Sequence, residues 1–297
     1  MALLPRVVVV TRPTELELLV REHGTREQAR FYVRAQGRPF DELVERDARE
    51  RAAEAAVLGA IPNAWRRARV TRDDLPAFPF ESDDVVVAVG QDGLVANLAK
   101  YAEGQPVIGI NPDASLYEGV LVRHAPRDAA ELIRLAAERR IRCEDRTMVE
   151  ARLDDGQTIR ALNEVFVGHR SHQSARYTLA VTGREEAHSS SGLIVATGTG
   201  ATGWVRSIAR ERASAPPMPA PCDGALILLV REAFPGPGYG VELTSALIAG
   251  GAAAEVSSAM GEGGVVFGDG IEDDRLAFTW GRIATIRRAE TPLRLVA

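Results

Sequence analysis

The chain's first apolar segment, Arg6-Val-Val-Val-Val10, is an unbroken β-branched run, the pattern of a strand buried on both faces of a parallel sheet. Polar residues follow at once. Thr14-x-x-Glu17 matches a capping box, in which hydroxyl and carboxylate satisfy the orphan N–H groups of a helix start, so a helix is predicted over Glu15 to Arg21. Thr25-x-x-Gln28 marks a second start, and the stretch from Arg38 to Asp74, rich in Arg, Glu and Ala, reads as a helix with charged faces. Asp84-VVVAV-Gly90 repeats the buried-strand pattern and Leu94-VANLAK-Tyr101 follows as a short helix. Pro106-VIGI-Asn111 is a third strand. From Asp128 to Arg140, apolar Leu132, Ile133, Leu135 and Ala136 define a helix side, and arginines gather at the end where the macrodipole favours them.

After about residue 145 the period changes. Short segments at Met148 to Leu153, Ile159 to Val167 and Tyr177 to Val181, with Asp155-Gly156 as a turn, predict hairpins and not crossover helices. Pro216, Pro217, Pro219 and Pro221 form a proline-dense loop, and Val265 to Ile271 and Leu276 to Ile286 return to strand. The expected architecture is an α/β N-terminal domain with a Rossmann-like parallel sheet over residues 1–145 and a β-rich domain over 146–285. A C-terminal segment, 286–297, completes the chain. No internal repeat is visible.

Composition narrows the partners. The 297 residues include 36 Lys plus Arg against 41 Asp plus Glu, a net charge of -5 without a block of one sign, so no footprint for nucleic acid or an anionic membrane appears. Lys100 is the only lysine, and no G-x-x-x-x-G-K-[ST] precedes it, which excludes a Walker-type nucleotide site. Arginine must supply any fixed cation. The two cysteines, Cys143 and Cys222, are far apart, so neither a zinc cluster nor a disulfide framework is readable, and a reducing cytoplasm is the expected compartment. No apolar stretch approaches the roughly 20 residues of a membrane helix.

Three segments carry candidate chemistry. Gly90-Gln91-Asp92-Gly93 lies where a buried strand turns into a helix, the carboxyl edge at which α/β sheets bind ligands and free N–H groups meet anions. Glycines there let phosphate oxygens approach the backbone, and Asp92 could hold a hydroxyl or a magnesium ion; a tight turn with a solvated aspartate accounts for the same four residues. Ser191-GLIVATGTGATG-Trp204 is a strand leading into a loop where Gly198, Gly200 and Gly203 permit close approach and Thr197, Thr199 and Thr202 offer hydroxyls to phosphate or ribose; structural turns are the alternative. Asn163 and Glu164 suit a ribose diol or a base edge, or are a polar pair at a strand end. His169 and His172 have no third ligand in view and read as surface residues.

Together these pieces resemble the NAD kinase family, which phosphorylates the adenosine ribose of NAD. Its strand, GGDG turn and helix, then a strand ending in Gly-x-Asn, are similar to VAVGQDGLVANLAK and PVIGIN here; its Asn-Glu motif to ALNEVFV; its DGLIVSTPTGSTAY-like run to SGLIVATGTGATGW; and its late Asp-Gly turn to Phe267-Gly-Asp269-Gly270. The resemblance covers Asp84 to the C-terminus in patches, in family order. Departures fall at Gln91 for the second glycine, Leu94 for threonine, Ser191 for aspartate, Gly198 for proline, Ala201 for serine, Gly203 for alanine and Trp204 for tyrosine.

The resemblance implies a sandwich-like second domain, a C-terminal segment returning to the first, and a homodimer or homotetramer. It implies transfer of the ATP γ-phosphate to the 2'-hydroxyl of the adenosine ribose of NAD(H), with Mg2+ arriving on ATP and no dedicated protein cage for it. Asp92 is the implied catalytic residue. Gly90, Gln91, Gly93, Asn163, Glu164, Ser191, Thr197, Thr199, Gly200, Thr202, Gly203 and Trp204 are the implied nucleotide-binding set. Two alternatives stay open: a kinase of this fold with another alcohol acceptor (nucleoside, sugar or lipid-like), and a nucleotide-binding protein without catalysis.

Overall fold

The computed structural model describes residues 4–212 and 216–297. The chain divides into two compact units, Met1–Glu144 with Arg294–Ala297, and Asp145–Leu293.

In the first unit the elements run β1 (Arg6–Thr11), α1 (Glu15–His23), α2 (Arg26–Ala35), α3 (Phe40–Ala60), β2 (Arg66–Thr71), β3 (Val85–Val89), α4 (Asp92–Ala99), β4 (Pro106–Ile110), α5 (Ala129–Ala137) and β5 (Cys143–Arg146). With the C-terminal strand Leu293–Val296 they build one sheet in the order β2, β1, β3, β4, C-terminal strand, β5, whose first four pairings are parallel. Val7, Val9, Val85, Val87, Ile108 and Ile110 pack against Ala53 and Val57 of α3 and Ile133 of α5. The alternate positions Val8, Val10, Val86 and Ala88 are also fully buried, so both faces of the sheet are covered, as the β-branched runs predict. Leu16, Ala29, Val33, Phe40 and Leu43 tie α1, α2 and α3 together. Lys100 caps the C-terminal end of α4 and is 8% exposed.

The helix expected from Arg38 to Asp74 is a correction. α3 ends at Ala60 before Pro62, which cannot continue the helical hydrogen bonding, and β2 begins four residues later. β2 is the edge strand Arg-Arg-Ala-Arg-Val-Thr and fully buries only Val70, so it carries no apolar run to announce it.

The second unit contains β6 (Val149–Leu153), β7 (Thr158–Ala161), β8 (Glu164–His169), β9 (Ala175–Val181), β10 (Arg184–Ser190), β11 (Leu193–Ala196), α6 (Trp204–Arg210), β12 (Leu226–Val230), β13 (Ser245–Ile248), β14 (Ala253–Ser258), β15 (Gly264–Gly268), β16 (Ile271–Ala277) and β17 (Ile283–Arg288). They form two antiparallel six-stranded sheets, β10-β9-β14-β17-β6-β7 and β13-β12-β11-β8-β15-β16. Alternate residues of both sheets, among them Val149, Leu179, Val195, Leu228, Val256 and Ile286, share one core, which makes the unit a β-sandwich. On the outer face of the second sheet, Phe166, Ile194, Ile227 and Phe267 pack against Val205 of α6. The single strand expected over Ile159 to Val167 is two strands broken at Leu162-Asn163, and that break organises the candidate site.

Candidate functional site

In the first unit the turn from β3 to α4 holds the aspartate. Gln91 is the N-cap residue of α4 at φ -100° and ψ 166°, an extended conformation open to any side chain, so glutamine in place of a glycine costs no backbone strain there. A Cβ on Gly93 would meet nothing within 4 Å, whereas one on Gly90 would lie 3.1 Å from Leu94 Cδ2. Leu94 itself is a core residue, 1% exposed.

Asp92 opens α4, where the helix dipole favours a negative charge. Its carboxylate accepts three backbone N–H groups from one loop: Leu121 at 2.8 Å and Val122 at 3.0 Å on Oδ1, and Val120 at 3.0 Å on Oδ2. The loop comes this close because β4 carries a glycine opposite it: a Cβ on Gly109 would sit 2.2 Å from the Leu121 carbonyl oxygen. Gly119, at φ +70°, turns the chain into the bound segment. Asn111, at the end of β4, donates from Nδ2 to the Tyr117 carbonyl and accepts the Asp113 N–H, which fixes the start of the same loop. Sequence reading found Asp92 and missed Gly109, Gly119 and residues 120–122, whose roles exist only once the loop folds back.

In the second unit the break between β7 and β8 gathers three segments. The Thr197 hydroxyl donates to the Leu162 carbonyl at 2.6 Å and accepts the N–H groups of Thr199 and Gly200, while the Thr197 N–H donates to the Asn163 carbonyl. Gly200 lies directly on the Asn163 backbone, since a Cβ there would fall 2.2 Å from the Asn163 carbonyl oxygen. Gly198 is packed the same way against Ala220, at 2.1 Å. From the β15–β16 turn, Asp269 at φ +54° accepts the Leu162 and Asn163 N–H groups at 3.0 and 2.7 Å. Asn163, Thr197, Thr199, Gly200 and Asp269 therefore form one cluster.

Glu164 begins β8 beside this cluster. Burial, and then the negative charge of Asp269, push its carboxyl up to about 7. Such a group is poised between accepting and donating hydrogen bonds at neutral pH, which suits a ribose hydroxyl or a base edge.

Thr202, Gly203 and Trp204 are exposed where the loop becomes α6. The Trp204 ring stacks on Phe166 with centroids 6.0 Å apart, and the Arg231 guanidinium lies 5.0 Å from its centre. Ser191 stands apart. It precedes β11 whereas the Gly-Thr loop follows it, so the whole strand separates Ser191 from the cluster, and its N–H bonds to the Arg231 carbonyl. Among the described residues no group of three or more His, Cys, Asp or Glu could hold a metal ion, and no helix is long and apolar enough to cross a membrane.

No protein-family model and no curated protein matches the sequence. Solved structures do. The crystal structure of yeast NADH kinase complexed with NADH aligns over 100% of this chain and 84% of that chain, with TM-score 0.63 and 15% identity. An NAD kinase from Archaeoglobus fulgidus, in complex with ATP, aligns over 98% of this chain and 93% of that chain, with TM-score 0.59 and 20% identity. The chain has the fold of these NAD(H) kinases.

Proposed function

We propose that the protein transfers the γ-phosphate of ATP to the 2'-hydroxyl of the adenosine ribose of NAD(H), giving NADP(H). The observation that carries this reading is the cluster at the β7–β8 break. Two segments distant in sequence, the Thr197 loop and the Asp269 turn, are spent on fixing the Leu162-Asn163 break before Glu164, an investment suited to holding a polar ligand beside it. The likeness in fold to structures binding NADH and ATP supports it.

In this reading Asn163 and Glu164 contact the dinucleotide, Thr202 and Gly203 line its pocket, and Gly90 and Gly93 shape the phosphate side. Asp92 orients the ribose hydroxyl. The 2'-oxygen bonds to the γ-phosphorus, the bond from that phosphorus to the β–γ bridging oxygen breaks, and the hydroxyl proton leaves to the carboxylate or to water. Phosphoryl transfer asks mainly for positioning and charge stabilisation. Magnesium carried on ATP would supply charge neutralisation at the phosphates, with Asp92 the carboxylate placed to meet it. A carboxylate has about four lone-pair sites, and the three N–H bonds on Asp92 leave one for the hydroxyl or the ion.

The same three bonds favour a second reading, a nucleotide-binding protein in which Asp92 only holds its loop. A γ-phosphate transfer assay with labelled ATP, magnesium and NAD or NADH decides between them, with Asp92→Asn alongside. Label in NADP or NADPH that is lost in the variant supports the kinase. Dinucleotide binding without transfer, or transfer unaffected by the substitution, overturns the role given to Asp92.

A further inference from the structure

The first unit carries a cavity of about 510 Å³ at the amino ends of its parallel strands, the end of the sheet opposite the Asp92 turn. Val85 opens β3, Pro106 opens β4, and Arg294 of the C-terminal strand pairs with Pro106. The five residues of β3, at about 3.3 Å each, separate this end from Gly90. The volume lies inside the range of about 300–1,000 Å³ usual for small-molecule sites, which combine an apolar lining with a few polar groups. Here Val85, Pro106, Ala136, Ala137 and Ile141 supply apolar surface, and Ser82, Asp83, Arg139 and Arg294 are polar groups of the wall.

The acidic groups of the wall are compensated and the arginines are not. Asp84 is buried, receives two bonds of 2.7 Å from Arg6 and accepts the Glu81 N–H as well. Asp83 lies in the field of Arg6 and Arg66. Among the described residues the Arg139 side chain makes no hydrogen bond or ion pair, and Arg294 makes one bond, of 3.2 Å, to the Gly104 carbonyl. The backbone at Arg139 adds an independent observation. Its N–H donates to the Ala136 carbonyl and the Arg140 N–H donates to the Leu135 carbonyl, the Schellman closure of α5, which holds Arg139 at φ +55°. Glycine takes this conformation without a Cβ penalty, yet a long cation stands there and lines the cavity, at a local cost in stability.

We infer that this cavity binds an organic anion, its carboxylate or phosphate end held by Arg139 and Arg294 and its apolar body laid on Val85, Pro106 and Ile141. A guanidinium is a planar fork that matches the oxygens of either anion in pairs, and the uncommitted donors of two such forks call for one. The apolar surface and the volume call for a body larger than an inorganic ion. The inference does not rest on the phosphotransferase reading: a ligand at the amino ends of the strands is a strand's length from Asp92 and takes no part in the reaction proposed there.

The test is calorimetric titration of the full chain with octanoate, octyl phosphate, acetate and octanol, using wild type, Arg139→Gly and Arg294→Gln, with thermal melts of each. Binding of octanoate or octyl phosphate at least tenfold tighter than that of acetate or octanol is the expected result, since acetate lacks the body and octanol the charge. Arg139→Gly should weaken that binding at least tenfold while raising the melting temperature, a pairing that a general loss of structure cannot produce. Tighter binding of octanoate assigns the site to carboxylates, and tighter binding of octyl phosphate assigns it to phosphate esters. No binding of either anion by folded wild type at millimolar concentration, or equal binding by wild type and Arg139→Gly, overturns the inference. Should Arg294→Gln fail to fold, Arg139→Gly decides alone.

Discussion

Asp269 and Asn163 are 106 residues apart in sequence and joined by a 2.7 Å hydrogen bond from the Asn163 backbone N–H to the Asp269 carboxylate. The neighbouring Leu162 N–H reaches the same side chain, so one carboxylate satisfies both donors freed where β7 stops and β8 has not begun. Hydrogen bonds to charged groups contribute about 1.5–3 kcal/mol each. Asp269→Ala should lower stability by about 2–4 kcal/mol, less than the sum of two such bonds because water reaches the half-buried turn. Denaturant unfolding checks the loss. An unchanged midpoint would show that the turn is held by Thr197 alone.

Glu164 gives the protein a pH dependence whose sign is opposite to that of a salt-bridged carboxylate. Its carboxyl titrates near 7 when folded and at the ordinary value near 4.5 when unfolded, so folding takes up a proton between these limits. Stability contributed by this site therefore falls as pH rises from about 4.5 to 7 and is flat beyond. Glu164→Gln removes the cost, which a shift of this size puts at up to about 3 kcal/mol. Thermal melts should show the variant more stable than wild type at pH 8 and equal to it at pH 4. A variant less stable at pH 8 would mean that the ionised carboxylate has a partner in the folded state.

Two glycines of the candidate motifs should respond oppositely to alanine. Gly200→Ala drives a methyl into the Asn163 carbonyl, where backbone and not a flexible side chain must yield, and should cost about 1–3 kcal/mol. Gly93→Ala adds a methyl to open space in the first turn of a helix and should stabilise by about 0.5–1 kcal/mol. If phosphate oxygens approach the Gly93 backbone, the same stable variant binds ATP more weakly. Unchanged ATP affinity would remove Gly93 from the phosphate pocket.

Asp92→Ala should release the loop that its carboxylate holds. Amide exchange is the measurement: the N–H groups of Val120, Leu121 and Val122 should exchange at least tenfold faster, while those of the buried strand β3 keep their protection. Equal exchange in the two proteins would assign the loop's order to Gly109 and Asn111 instead.

Features set by neighbours in sequence were legible before folding. The valines of β1 and β3 announce a sheet covered on both faces, and Thr14 and Glu17 form the reciprocal cap their spacing predicts, at 3.2 and 3.0 Å. β2 was not legible, because an edge strand that carries Arg66, Arg67 and Arg69 has the composition of a solvated helix. The segments containing Asn163, Thr197 and Asp269 could each be singled out, but their meeting depends on strand pairing across the second sheet, which no local pattern encodes.

The burial of Lys100 makes it an intrinsic reporter. Amine-directed reagents find no exposed ε-amine among the described residues of the folded chain, so lysine crosslinking would leave the surface largely unmapped, and arginine chemistry would serve instead. For the same reason, covalent capture of Lys100 clocks the opening of the segment that begins with Asp92.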